Sequence, residues 1–179
     1  MRDLNQLIIK FDNKQNFKDD DFYVSKSNKH IFTLLGLWPK WEKNFLNING
    51  EKFSGKTHLV NIFIKKFKGI KFNTKFITND DLKTIKVYEN IILENLNEEV
   101  NEELIYSLFN IIDSDNKFII VTSEKPITEI DFKLPDLRSR TKNFLLHKIE
   151  KPDDELMFAL ILKNLSDRQI TIDKKLIDF

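Results

Sequence analysis

The stretch Gly50-Glu51-Lys52-Phe53-Ser54-Gly55-Lys56-Thr57 constrains this chain more than any other, because it fits G-x-x-x-x-G-K-[ST] at every fixed position. Glycines let a loop curl until successive backbone N–H groups face a phosphate, and the lysine brings a point charge to its terminal oxygens. The pattern predicts a phosphate cradle at Gly50, Ser54, Gly55 and Lys56, with the Thr57 hydroxyl on a Mg2+ ion. The flanks supply the setting such a loop needs. Phe45-Leu46-Asn47-Ile48-Asn49 reads as a strand and residues 58–67 as a helix, so the loop leads into a helix N-terminus. A chance glycine-rich turn has no reason to carry both flanks.

The remaining chain alternates in the same manner. A helical spacing of Ile31, Leu34, Leu35, Leu37 and Trp38 stops at Pro39. Residues 71–78 read as a second strand, and Asn79 suits the cap of a short helix over 80–86. Asn90-Ile91-Ile92-Leu93-Glu94 is an apolar run ending in an acid, as expected of a buried parallel strand whose carboxyl end faces a ligand crevice. Leu104, Ile105, Leu108, Phe109, Ile111 and Ile112 form a helical stripe, and Phe118-Ile119-Ile120-Val121 is another buried strand, closing on Thr122 and Ser123. Leu134-Pro135-Asp136-Leu137 starts a short helix, Phe144-Leu145-Leu146 reads as a fifth strand, and an apolar helix follows Pro152. Such alternation predicts an α/β fold in three layers, a five-stranded parallel sheet with helices on both faces.

Composition narrows the function by exclusion. The length of 179 residues, 41% of them hydrophobic, suits one domain or one domain with a small appendage. Lys and Arg number 29 against 28 Asp and Glu, so bulk charge offers no argument for nucleic acid or an acidic partner. Without cysteine there is no disulfide, thiolate metal site or Cys nucleophile, and His30, His58 and His147 lack metal-ligand spacing. No apolar run approaches a membrane span and the first residues lack a signal-peptide core, so the expectation is a soluble, cytoplasmic chain with no membrane partner. At the start, Gln6-Leu7-Ile8-Ile9-Lys10-Phe11 precedes a polar, charged segment, Asp12 to Asp21. It reads equally as a sticky tip on a tether or as a strand for a sheet edge.

Several segments, in order along nearly the whole chain, carry a resemblance: Asp21-Phe22-Tyr23-Val24 with Ser27-Asn28, Trp38-Pro39-Lys40-Trp41, Gly55-Lys56-Thr57-His58-Leu59, and Leu134-Pro135-Asp136-Leu137-Arg138-Ser139-Arg140. Together they resemble AAA+ P-loop ATPases of the DnaA type, and more closely the short DnaA-related regulators of the Hda group. The resemblance implies an adenine nucleotide, ADP or ATP, held with Mg2+ by the loop, by His58 beside it and by Glu94 in the Walker B position, which orients the metal through water. It makes Asn95 a degenerate catalytic base, since an amide cannot take up a proton; Glu98 and Glu99 lie near but read as the start of the next helix. Thr122 and Ser123 fall on sensor 1, although either hydroxyl also suits a cap of the following turn.

Arg140 falls on the arginine finger that reaches a neighbour's ATP, with Arg138 adjacent; outside the resemblance either arginine is a solvated charge. Gln6, Leu7, Ile9 and Phe11 are similar to the peptide with which such regulators dock on the DNA sliding clamp. The implied organisation is a clamp-binding tip and tether over 1–20, an AAA+ core over 21–150, and the beginning of a helical lid over 151–179, incomplete around Leu176, Ile177 and Phe179. The implied function is stimulation of ATP hydrolysis by the replication initiator DnaA, with DNA met only through the clamp and self-association also allowed. Other readings are a weak ATPase or nucleotide-dependent scaffold in replication, and a P-loop kinase acting on a small metabolite.

Overall fold

The computed structural model describes residues 22–167; the predicted clamp-binding tip, the tether and the residues from Thr171 to Phe179 lie outside that range. Two units divide the chain, one of them Lys26–Lys151 and the other comprising the two terminal segments. The central unit holds α1 (Lys29–Gly36), β1 (Phe45–Asn49), α2 (Lys56–Phe67), β2 (Ile70–Asn73), α3 (Asp81–Ile85) and β3 (Asn90–Leu96). These are followed by α4 (Glu102–Ser114), β4 (Phe118–Ser123), a 3-10 turn at Ile127–Glu129, α5 (Pro135–Thr141) and β5 (Leu145–Lys148). The strands pair in the order β2-β3-β4-β1-β5, every pair parallel. That is the α/β fold predicted, and parallel neighbours require the crossover helices that separate them.

Strand alternation divides the core between two faces of the sheet. Phe45, Ile91, Leu93, Ile119 and Val121 turn to one face and cluster with Ile105, Leu108, Phe109 and Ile112 of α4 and Leu137 of α5. Leu46, Ile48, Ile92 and Ile120 turn to the other, and α1 and α2 contribute the equally buried Ile31, Leu35, Leu59, Val60 and Phe63. Trp41 and Trp38 join this second layer through Phe63 and Phe67, with ring centres 5.5 and 4.9 Å apart. Burying such side chains is worth about 1.5–3 kcal/mol each, which makes the two layers the main source of stability.

Three local expectations fail for nearby polar side chains. The second strand ends at Asn73 rather than Thr78, because the Asn73 side chain accepts the Lys75 N–H and its carbonyl accepts that of Phe76, turning the chain. Asn79 does not cap α3; the Asp81 carboxylate reaches back to accept from the Thr78 N–H and hydroxyl. Glu98 and Glu99 precede α4 in a turn, where Asn97 Oδ1 accepts the Glu99 N–H, and the cap falls to Asn101, which accepts from Leu104 N–H at 3.1 Å.

In the terminal unit α6 (Asp154–Asp167) follows Pro152, and the Asp153 carboxylate accepts the Leu156 N–H. The Tyr23 hydroxyl donates to Glu155 at 2.9 Å, and that bond raises its pKa above the ordinary tyrosine value. Met157, Phe158, Leu160 and Ile161 are largely exposed. No helix among the described residues is long and apolar enough to cross a membrane.

Candidate nucleotide site

At the carboxyl ends of β1, β3 and β4 lies a cleft of about 710 Å³, lined by Lys52 through Thr57, Asn95 through Glu99, Ser123 through Lys125, and Ile130. Its size falls within the range of small-molecule sites, and its place is where ligands sit in open parallel sheets. The loop is shaped by its neighbours as much as by its own sequence. Gly55 ends it in the left-handed region at φ 93°, a conformation that favours glycine. Gly50 is needed for space: a Cβ there would meet Ser54 Oγ at 3.0 Å and the Ile149 carbonyl at 3.1 Å. Phe53 also has a positive φ, 64°, and its ring is fully exposed.

Lys56 opens α2, and its ammonium donates to the carbonyls of Gly50 and Glu51 at 2.7 Å each. Burial lowers its pKa below the ordinary lysine value, with Glu124 opposing the shift. Thr57 is exposed in the first turn beside the cleft, and His58 follows it, half-buried. Lys52 pairs with Glu124 at 3.5 Å at the rim. The N-terminus of a twelve-residue helix, Lys56 and Lys52 together present positive charge to one end of the cleft.

Across from the loop, Asn95 has φ 63° and stands beside a register shift between β3 and β4. Its N–H donates to Thr122 Oγ1 at 3.1 Å and its carbonyl accepts from Thr74 Oγ1 at 2.8 Å, so the peptide is held from both sides. Asparagine tolerates this left-handed geometry better than a branched or bulky residue. Thr122 and Ser123 are each 1% exposed. The Ser123 hydroxyl donates to Lys125 O at 2.6 Å and accepts from Asn47 Nδ2 at 2.9 Å, capping the turn beyond β4. Ser123 lines the cleft; Thr122 is spent on Asn95.

Glu94 is 6% exposed, and Lys71 lies 3.0 Å from its Oε2. Glu94 is therefore poorly set to hold Mg2+. One carboxylate oxygen is in an ion pair, and the other, Oε1, is sealed from solvent with no hydrogen-bond partner. Thr57 remains a free-standing oxygen donor in the cleft. Among the described residues no group of three His, Cys, Asp or Glu could hold a metal ion.

Arg138 and Arg140 lie in the last turn of α5 and do not line the cleft. Arg140 Nη1 is 2.6 Å from Asp113 Oδ2 on α4, and Glu102, at the other end of α4, accepts the Lys133 and Leu134 N–H groups that lead into α5. One helix thus fixes both ends of the next. Sequence reasoning missed Lys71, Glu102 and Asn47. The last had a signal, a polar residue amid a buried strand; the other two depend on pairings across the sheet and between helices.

No protein-family model matches the chain. In sequence it is 25% identical over 185 residues to the chromosomal replication initiator protein DnaA of Helicobacter hepaticus, covering 89% of this chain and 40% of that protein. In structure it superposes on AMPPCP-bound DnaA from Aquifex aeolicus with a TM-score of 0.69 and 22% identity, covering 91% of this chain and 59% of that one. On domain III of Thermotoga maritima DnaA the TM-score is 0.68 at 16% identity, covering 88% and 76%. The chain spans about two fifths of the length of the curated relatives it matches. Its fold is the α/β fold of these DnaA structures.

Proposed function

We propose that this chain is a DnaA-related AAA+ protein of replication initiation that binds adenine nucleotide, docks on the sliding clamp and switches off the initiator by stimulating its ATP hydrolysis. The observation that carries the reading is the pairing of a complete phosphate loop with Asn95 at the base position, in a fold shared with DnaA. A site that can hold phosphate but lacks a proton acceptor beside it suits a nucleotide kept for shape. The finger role for Arg140 is supported by its partial exposure and its lying outside its own cleft, and it requires the pair with Asp113 to open. A trans-acting guanidinium of this kind contributes ~10³ to 10⁵ in rate. The clamp assignment is supported by Gln6, Leu7, Ile9 and Phe11 in the sequence alone.

The test is ATP turnover by purified initiator in the presence of DNA-loaded clamp, with this protein or its Arg140→Ala variant. Wild type accelerates hydrolysis and the variant does not; equal acceleration by both removes the finger. Loss of clamp binding in a Gln6→Ala, Leu7→Ala double variant checks the tip separately. A second reading, a weak ATPase, is favoured by Glu98 and Glu99, two carboxylates that line the cleft close in sequence to Asn95. Turnover by this protein alone, abolished by Glu98→Gln or Glu99→Gln, would select it.

A further inference from the structure

Lys71 occupies the outer strand β2, where it pairs in register with Ile92 while Asn73 pairs with Glu94. Residues two apart on a strand share a face, so Lys71 and Glu94 both turn toward α2. There the Lys71 ammonium meets Glu94 Oε2 at 3.0 Å and Asn61 Oδ1 of α2 at 2.8 Å. The lysine is a third exposed and the acid nearly buried, so the pair reaches from solvent to the end of β3, one residue before the cleft-lining Asn95. A carboxylate this deep must have its charge met, and here a lysine of the neighbouring strand meets it.

At Glu94 itself a divalent ion has little left to bind. Mg2+ dehydrates reluctantly and reaches acids through its water shell or with full octahedral geometry. Oε2 is already in an ion pair, and Oε1 is beyond the reach of solvent. The phosphate charge is faced instead by Lys56, Lys52 and the α2 N-terminus. We infer that Lys71 replaces the divalent cation as counter-ion of Glu94, so that the cleft holds adenine nucleotide with little dependence on Mg2+. The inference rests on the nucleotide reading of the cleft and adds the regulation of that site: its occupancy does not follow free Mg2+.

The experiment titrates fluorescent ADP and ATP analogues into the full chain, in Mg2+ and in EDTA. Wild-type affinities stay within about threefold between the two conditions, and Lys71→Arg, which keeps the charge, behaves alike. Lys71→Met releases Glu94 toward the cleft, and Mg2+ then improves affinity by about tenfold, or about 1.4 kcal/mol. Because Lys71→Met leaves a buried acid unpaired and can fail to fold, Glu94→Gln supplies an independent arm. It leaves the wild-type ratio unchanged if Lys71 is the counter-ion. A wild-type enhancement of about tenfold by Mg2+ would overturn the inference, and its loss in Glu94→Gln would return the ion to that acid. Failure of the folded wild type to bind either analogue in both conditions would remove the nucleotide reading itself, and the inference with it.

Discussion

Replacing Asn47 by leucine tests how the cleft wall is held. Asn47 is fully buried in the middle of β1, where Nδ2 donates to Val121 O at 3.1 Å and to Ser123 Oγ at 2.9 Å. Its Oδ1 accepts the Ile127 N–H at 3.0 Å. Leucine is close in size, so no cavity term enters, but all three bonds disappear. The two donations are worth about 1 kcal/mol each, and an unpaired Ile127 N–H costs about 1–3 kcal/mol. The transfer of an apolar side chain into the core offsets about 1–2 kcal/mol. The net expectation for Asn47→Leu is a loss of about 2–3 kcal/mol, or roughly 5–10 °C in Tm for a chain of this size.

The loss is read as a shift in urea midpoint at unchanged slope. Because Ser123, Lys125 and Ile130 line the cleft, nucleotide affinity falls with stability. Hydrogen exchange localises the effect, with the Ile127 amide losing protection before the centre of β3. A stability loss below about 0.5 kcal/mol would refute the reasoning, since it would mean that the three bonds are worth no more than surface contacts.

The remaining predictions concern strain and pH. Phe53→Gly removes a non-glycine residue from φ 64° and, with the ring fully exposed, deletes no packing; stability rises by about 1 kcal/mol, seen in thermal melts. Burial first, and then His30 with its ring centre 6.0 Å away, lower the His147 pKa below the ordinary histidine value, against the opposing pull of Glu42. The unfolded chain therefore takes up the proton more readily, so the stability tied to neutral His147 is complete above about pH 6.5 and is lost as pH falls from there toward the folded value. Denaturant titrations of His147→Gln decline less than wild type between about pH 7 and 5.5.

How much could be read from the sequence depended on whether the deciding contact was local. The strands Phe45–Asn49, Asn90–Leu96 and Phe118–Ser123 and the helices around them are written in apolar periodicity, and the phosphate loop in fixed spacing. The end of β2 was not, because one Asn73 side chain overrides the strand preference of the residues beyond it. Asn95 read as a missing base; only its backbone bonds to Thr122 and Thr74 reveal that the position also selects asparagine for its geometry. Arg140 could be named but its partner could not, since Asp113 stands 27 positions earlier on another helix. Lys71 was hidden for the same reason. Its meaning lies in a strand register that joins it to Glu94.

Gly50 and Phe53 show that one loop can constrain its residues in two different ways. At Phe53 the backbone is strained but open to solvent, so a large side chain there costs only conformational energy. At Gly50 the wall is the Ile149 carbonyl, main chain that no substitution elsewhere can trim, with Ser54 closing the other side. The first glycine of the loop is thus tied to the residue that follows β5. Any side chain at position 50 would have to displace the Ile149 main chain.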